Sequence, residues 1–244
     1  MKKIILLLSI LFFSMVQLSA QEDNHIHHPM LGDRAPSFTA ESTTGTVTFP
    51  QDYIYKWKIL FSHPADFTPV CTSEILELAG AQKDFNKLGT EIVVVSTDKL
   101  DMHTQWVKSI ESIRYKDREP VKIEFPLVSD VDYTISKEYG MLQPSASTTK
   151  DVRGVFIVDP KNKIRAIFYY PMNIGRNLDE IERTLIALQT ADKQHVLIPG
   201  DWQPGGDVLL PVNKSSSESE KQAVKDDPDY YQLTWYMQYK KGSK

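Results

Sequence analysis

The chain has 244 residues, 41% hydrophobic and 25% charged, with a formal net charge of −4. That length suits one good-sized core with an appendage, and with no basic stripe visible a nucleic-acid partner is not expected. A single cysteine, Cys71, excludes an internal disulfide.

Met1, Lys2 and Lys3 precede an apolar run from Ile4 to Val16 and then Leu18-Ser19-Ala20, the pattern of an export signal with cleavage expected after Ala20. The run is too short to favour a stable membrane span, no later segment is long enough, and no cysteine follows it for lipid attachment. The expectation is a soluble exported protein of the periplasm. A lone thiol in such an oxidising compartment needs a reason to persist. His25, His27 and His28 carry the chemistry of metal ligands; with no cysteine or carboxylate at ligand spacing they read as an exposed tail, and no metal site is assigned. Between Ala35 and Phe49, the segments around Thr44-Gly45 suggest a short hairpin over one edge of the domain.

Trp57 to Phe61 suits a strand, which His63, Pro64, Asp66 and Pro69 then break. From Cys71 onward, Ile75, Leu78, Ala79 and Phe85 recur at helical spacing up to Gly89. Thr68-Pro69 is a helix start, because a threonine hydroxyl can cap free backbone N–H groups and proline is pre-set for the first helical position. Cys71 is therefore expected at about the third helical residue. There the unpaired N–H donors and the positive end of the helix dipole favour a thiolate. Pro64 and Pro69 stiffen the loop, so the thiol is expected to be presented to a small molecule in a pre-formed pocket. A buried structural cysteine is the competing reading, and it leaves the Thr-Pro start three residues earlier without a purpose.

Pro64-Ala65-Asp66-Phe67-Thr68-Pro69-Val70-Cys71 resembles the active-site loop of peroxiredoxins: proline, three residues, threonine, two residues, cysteine. His63 in front and Thr72-Ser73-Glu74 behind make it most similar to the one-cysteine branch. The resemblance implies a thioredoxin-like α/β fold, a central mixed β-sheet flanked by helices. It also implies a thiol peroxidase, in which the Cys71 thiolate attacks hydrogen peroxide or an organic hydroperoxide, becomes a sulfenic acid and is reduced by an external thiol. No cofactor is implied, and a homodimer or ring of dimers is. Thr68 acquires a second use, since its hydroxyl can donate to the thiolate or accept from the peroxide. The Val70–Cys71 backbone can stabilise the leaving oxygen, and His63 can hydrogen-bond near the pocket.

Further along, Glu91 to Ser96 is a continuous apolar run fit for the middle of a parallel sheet. Asp98 to Ile113 carries Met102, Trp106, Ile110 and Ile113 on one side, a second amphipathic helix. Phe125 to Val128 is a short strand candidate, and Tyr133 to Tyr139 a short helix stopped by Gly140. Val152 to Val158 and Ile164 to Tyr170 flank the turn Asp159-Pro160-Lys161-Asn162 as an antiparallel hairpin. Asn177-x-x-Glu180 opens a third helix with Leu178, Ile181, Leu185 and Leu188 as its stripe.

Strand alternation puts Arg153 on the face of Val155 and Ile157, where a permanent cation calls for an anion; the Cys71 thiolate is the natural candidate. The resemblance carries to Arg153 a place beside that thiolate and a contact with peroxide. Tyr170 to Asn177 also matches the family, and there Arg176 orients the first arginine through a carboxylate such as Glu74. Asp66 and Glu74 are not expected to act as an acid–base pair, because a carboxylate beside a thiolate opposes its ionisation unless an arginine neutralises it.

The division is thus residues 1–20 as signal, 29–192 as the peroxidase domain and 193–244 as a C-terminal arm. The aromatic run Tyr230 to Tyr239 is expected to pack on another surface; family resemblance, to which Asp201-Trp202 contributes, implies a partner subunit. A second function class, a redox-responsive holdase or peroxide sensor using the same cysteine, is kept as the alternative. A thiol–disulfide oxidoreductase is disfavoured, since that chemistry wants Cys-x-x-Cys.

Overall fold

The computed structural model describes residues 28–212 and 227–242. The export signal, His25 and His27 lie outside the described residues; His28 is exposed and lies over Gly140. Ten strands are described: β1 (Phe38–Ser42), β2 (Gly45–Phe49), β3 (Trp57–Ser62), β4 (Thr90–Ser96), β5 (Leu127–Ser129), β6 (Arg153–Val158), β7 (Ile164–Tyr170), β8 (Val208–Leu209), β9 (Tyr230–Thr234) and β10 (Met237–Lys240). The helices are α1 (Pro69–Lys87), α2 (Leu100–Ile110), α3 (Thr134–Glu138) and α4 (Leu178–Gln194).

The first seven strands form one mixed sheet in the order β2-β1-β5-β4-β3-β6-β7. β3 and β4 run parallel across the crossover helix α1, and β6 and β7 add antiparallel on the far side of β3. Side-chain alternation divides the core in two. Ile59, Phe61, Val94, Val155 and Ile157 face α1, α2 and α4, whereas Leu60, Val93, Val95, Phe156 and Val158 face α3 and the N-terminal hairpin. Because Cys71 belongs to the first cluster, Arg153, Val155 and Ile157 point to the same layer as the thiol.

Helix α1 begins where proline at its first position suggests, and Gly89 adopts φ +64° just past its end. The buried stripe of α2 differs from expectation. His103, Trp106 and Ile110 are buried, while Met102 is exposed and Ile113 lies beyond the helix. In α4 the Asn177 side chain accepts from the Glu180 backbone N–H at 3.2 Å. The Glu180 carboxylate turns to Arg183 instead of completing the reciprocal box.

After α4 the chain folds back on itself: Val196, Trp202 and Val208 form a small core with Ala187 of α4. β8, β10 and β9 make a separate antiparallel sheet, and its outer hairpin leaves Leu233 of β9 and Trp235 and Tyr236 of the turn exposed. Among the described residues no helix is long and apolar enough to cross a membrane.

Candidate active site

The end of β3, the following loop and the first turn of α1 converge on Cys71. Thr68 is the helix N-cap in extended conformation, with Pro69, Val70 and Cys71 as the first three helical residues. The Thr68 hydroxyl does not cap; it donates to the Ala65 carbonyl at 2.9 Å, bracing the loop from inside. Phe67 reaches φ +54°, a left-handed turn that brings the chain into the helix. Pro64 lies in this loop, and Val70 stands on the outer side of the first turn, against Gly175.

Cys71 is fully buried, contrary to the expectation of a presented thiol. The cause is its register: Cys71, Ile75 and Leu78 fall on the sheet-facing stripe of α1, so the sulfur points inward with them. A depression of about 410 Å³ lies beside the same turn, walled by Thr68, Thr72, Leu76, Trp106 and Ile110 among others, but Cys71 does not line it.

One guanidinium touches the sulfur, and a carboxylate and a second guanidinium lie behind it. Arg153 Nη1 stands 3.3 Å from Cys71 Sγ and 2.6 Å from Glu74 Oε2. Its other nitrogens are fixed by the Met172 carbonyl, at 3.0 Å from Nε and 2.5 Å from Nη2. Arg176 grips Glu74 through its backbone N–H at 2.7 Å and through Nε and Nη2, each at 2.8 Å. Its Nη1 donates to the carbonyls of Ser62 and Gly154, and its plane lies over the Phe61 ring. Burial alone would raise the Glu74 carboxyl; the Arg176 contacts outweigh it and hold Glu74 below the usual carboxylate range. Burial pushes the Arg176 guanidinium down, against Glu74.

Charge counting then points at the sulfur. Arg153, Arg176 and Glu74 are all buried, two cations against one anion, and one of the two cations in contact with Glu74, Arg153, also touches Cys71 Sγ. The carboxylate that would oppose ionisation is thus consumed by two arginines. Cys71, Arg153, Glu74 and Arg176 come together as one network, whereas the Thr68 hydroxyl bonds Ala65 instead.

His63 is brought near in sequence but bonds elsewhere: Nε2 meets Asp66 Oδ1 at 2.8 Å. Asp66 in turn meets His103 Nδ1 at 2.8 Å, a residue sequence reasoning passed over. The Met172 carbonyl was missed as well, since a backbone acceptor leaves no mark in residue type.

Residues 31–167 match the AhpC/TSA family, and residues 187–226 match the C-terminal domain of 1-Cys peroxiredoxin. A peroxiredoxin of Methanosarcina mazei is 46% identical over 216 residues, covering 88% of this chain and 99% of its own. One from Aquifex aeolicus is 43% identical over 72% of this chain and 77% of its own. Among solved structures, a yeast mitochondrial 1-Cys peroxiredoxin superposes with a TM-score of 0.75 at 34% identity, covering 87% of this chain and 99% of that one. A cysteine-to-serine mutant of Arenicola marina peroxiredoxin 6 gives 0.75 at 30% identity, over 88% and 99%. With a lone cysteine clamped between a helix start and an arginine–glutamate–arginine network, and with these relatives spanning both the domain and the arm, the chain belongs to the peroxiredoxin family of thiol peroxidases.

Proposed function

We propose that the chain reduces hydrogen peroxide and organic hydroperoxides through a one-cysteine cycle. The Cys71 thiolate attacks one peroxide oxygen; an S–O bond forms as the O–O bond breaks, and the second oxygen leaves with a proton as water or an alcohol. Cys71 is left as a sulfenic acid. An external thiol then forms a mixed disulfide with it, releasing water, and a second thiol frees Cys71. The observation that carries this reading is Arg153 Nη1, placed within reach of both Sγ and Glu74, so that the donor next to the sulfur is oriented before any substrate arrives.

The reductant is proposed to be an external thiol, small or protein-borne. The yeast relative is described as resolved via glutathione/thioredoxin systems, and this chain has no second cysteine to do the work. Export to the periplasm is proposed from the charged, apolar and small-residue pattern of residues 1–20. A homodimer or ring of dimers is proposed from the family and from the exposed aromatic tip of the arm.

The experiment is peroxide consumption with excess dithiol, in wild type and Cys71→Ser. Sustained turnover in the wild type and none in a folded Cys71→Ser protein are expected. Activity retained by the variant would overturn the assignment, and a single oxidation without turnover would favour the sensor.

A further inference from the structure

Beneath the catalytic loop lie three polar side chains to which the peroxidase cycle gives no step: His63, Asp66 and His103, at most 7% exposed. They come from the loop after β3 and from the middle of α2, and their ligand-type atoms gather within 4.8 Å. His103 Nδ1 lies 2.8 Å from Asp66 Oδ2, and His103 Nε2 lies 3.2 Å from the Val128 carbonyl oxygen of β5.

The protons can be counted. A carbonyl only accepts, so His103 Nε2 donates to Val128; an ionised carboxylate only accepts, so Nδ1 donates to Asp66. An imidazole that donates from both nitrogens is a cation. Moving the proton to Asp66 would need a neutral acid there. Burial alone pushes Asp66 that way, but the bonds from His103 and His63 together outweigh it and hold the carboxyl below its usual range. Burial pushes the His63 ring down, against the pull of Asp66. His63 is then neutral, donating from Nε2 and leaving Nδ1 without a partner among the described residues. The nearest outer charges pair off: Asp98 accepts from the Asp66 backbone N–H at 2.7 Å and from Lys150 Nζ at 2.8 Å. A metal ion is the poorer occupant. Contacts of 2.8 Å are hydrogen-bond lengths, and an ion at about 2.0–2.1 Å from each ligand would have to open them.

We propose that His103 is a positioning residue of the peroxidase site: held as an imidazolium between Asp66 and Val128, it ties the His63–Thr68 loop to α2 and β5. The path to the sulfur is short. Asp66 stands two residues before Thr68, whose hydroxyl is braced on Ala65, and Thr68 is the cap from which the first turn with Cys71 springs. The kinetic part rests on the peroxidase reading; the protonation part does not.

The test is 15N NMR of the full chain with labelled histidine at about pH 7.5, where an unperturbed imidazole is mostly neutral. Protons on both His103 nitrogens are expected; a single proton, or a divalent ion found stoichiometrically in the isolated protein and lost on Asp66→Asn, overturns the proposal. His103→Gln can serve only one of the two acceptors and is expected to slow Cys71 oxidation by hydrogen peroxide about tenfold, measured at a temperature where the variant is fully folded, since breaking the buried pair also lowers its melting temperature. An unchanged rate overturns the positioning role. Should that variant fail to fold, Asp66→Asn replaces it and is expected to strip the second ring proton from His103, retention of both being the contrary result. A wild type that leaves peroxide untouched while His103 holds two protons would sink the functional reading and uphold the proton assignment.

Discussion

Glu74 is the residue on which the two arginines agree. Replacing it with glutamine leaves Arg153 and Arg176 buried without their carboxylate, a loss of about 3–5 kcal/mol by the cost of breaking buried pairs. Glu74→Gln is therefore expected to lower both the urea midpoint and the rate of Cys71 oxidation; a variant with native stability would contradict the network. The pH dependence has a definite sign. The Glu74 carboxyl is held below its ordinary 4.5, so its stabilisation is complete above that value and is lost as the pH falls through the folded one. Asp151 behaves oppositely. It is fully buried, neither carboxylate oxygen has a hydrogen-bond partner among the described residues, and burial, reinforced by Asp130, pushes it up from 3.8 to about 8. Its protonated form belongs to the folded state, so stability is lost as pH rises between those values. Asp151→Asn is expected to stabilise by roughly 2–4 kcal/mol at alkaline pH and by far less at pH near 3, checked by urea melts at both. Cys71 and Arg153 were legible from the chain because a lone thiol and a cation on an apolar strand face each break a pattern, whereas Glu74 and Arg176 were reached only through the family resemblance. Asp66 and His103 were not legible, since a histidine within an amphipathic helix shows nothing of a carboxylate 37 residues away.

Most of the elements follow from periodicity. The continuous apolar run of β4 becomes a strand covered on both faces, and the turn at Asp159 joins β6 to β7 as expected. What periodicity could not supply was the exact facing of α2, where buried His103 takes the place given to Met102, or the inward turn of Cys71. Both errors treat polarity as a guide to exposure, which fails wherever a polar group finds a buried partner. Helix starts were read better than their bonds: Thr68 marks the boundary of α1 without capping it, while Asn177 does cap α4. Asn177→Ala is accordingly expected to cost about 1 kcal/mol. Because Arg176 precedes that cap, the variant's peroxide rate should fall along with its melting temperature, and a stability loss with an unchanged rate would separate α4 from the site.

At the scale of the whole molecule, the sheet with its helices and the small core around Trp202 are joined through α4, so the first part of the arm is anchored on its own chain. The outer hairpin leaves Trp235 and Tyr236 exposed, the face that the proposed homodimer would cover. The inward-facing sulfur sets a size limit on its visitors. A small oxidant can slip in through a momentary gap, but a second sulfur carried on a peptide has to line up with the S–O bond it displaces, and bulk forbids that while the opening turn stays wound. The proposed cycle therefore calls for two shapes, a wound one for the oxidation and an unwound one for the rescue. Hydrogen exchange at Val70 to Ser73 should quicken when Cys71 carries its oxygen and slow again on reduction; amides equally protected in both forms would mean that the rescuer enters by a route the resting shape hides.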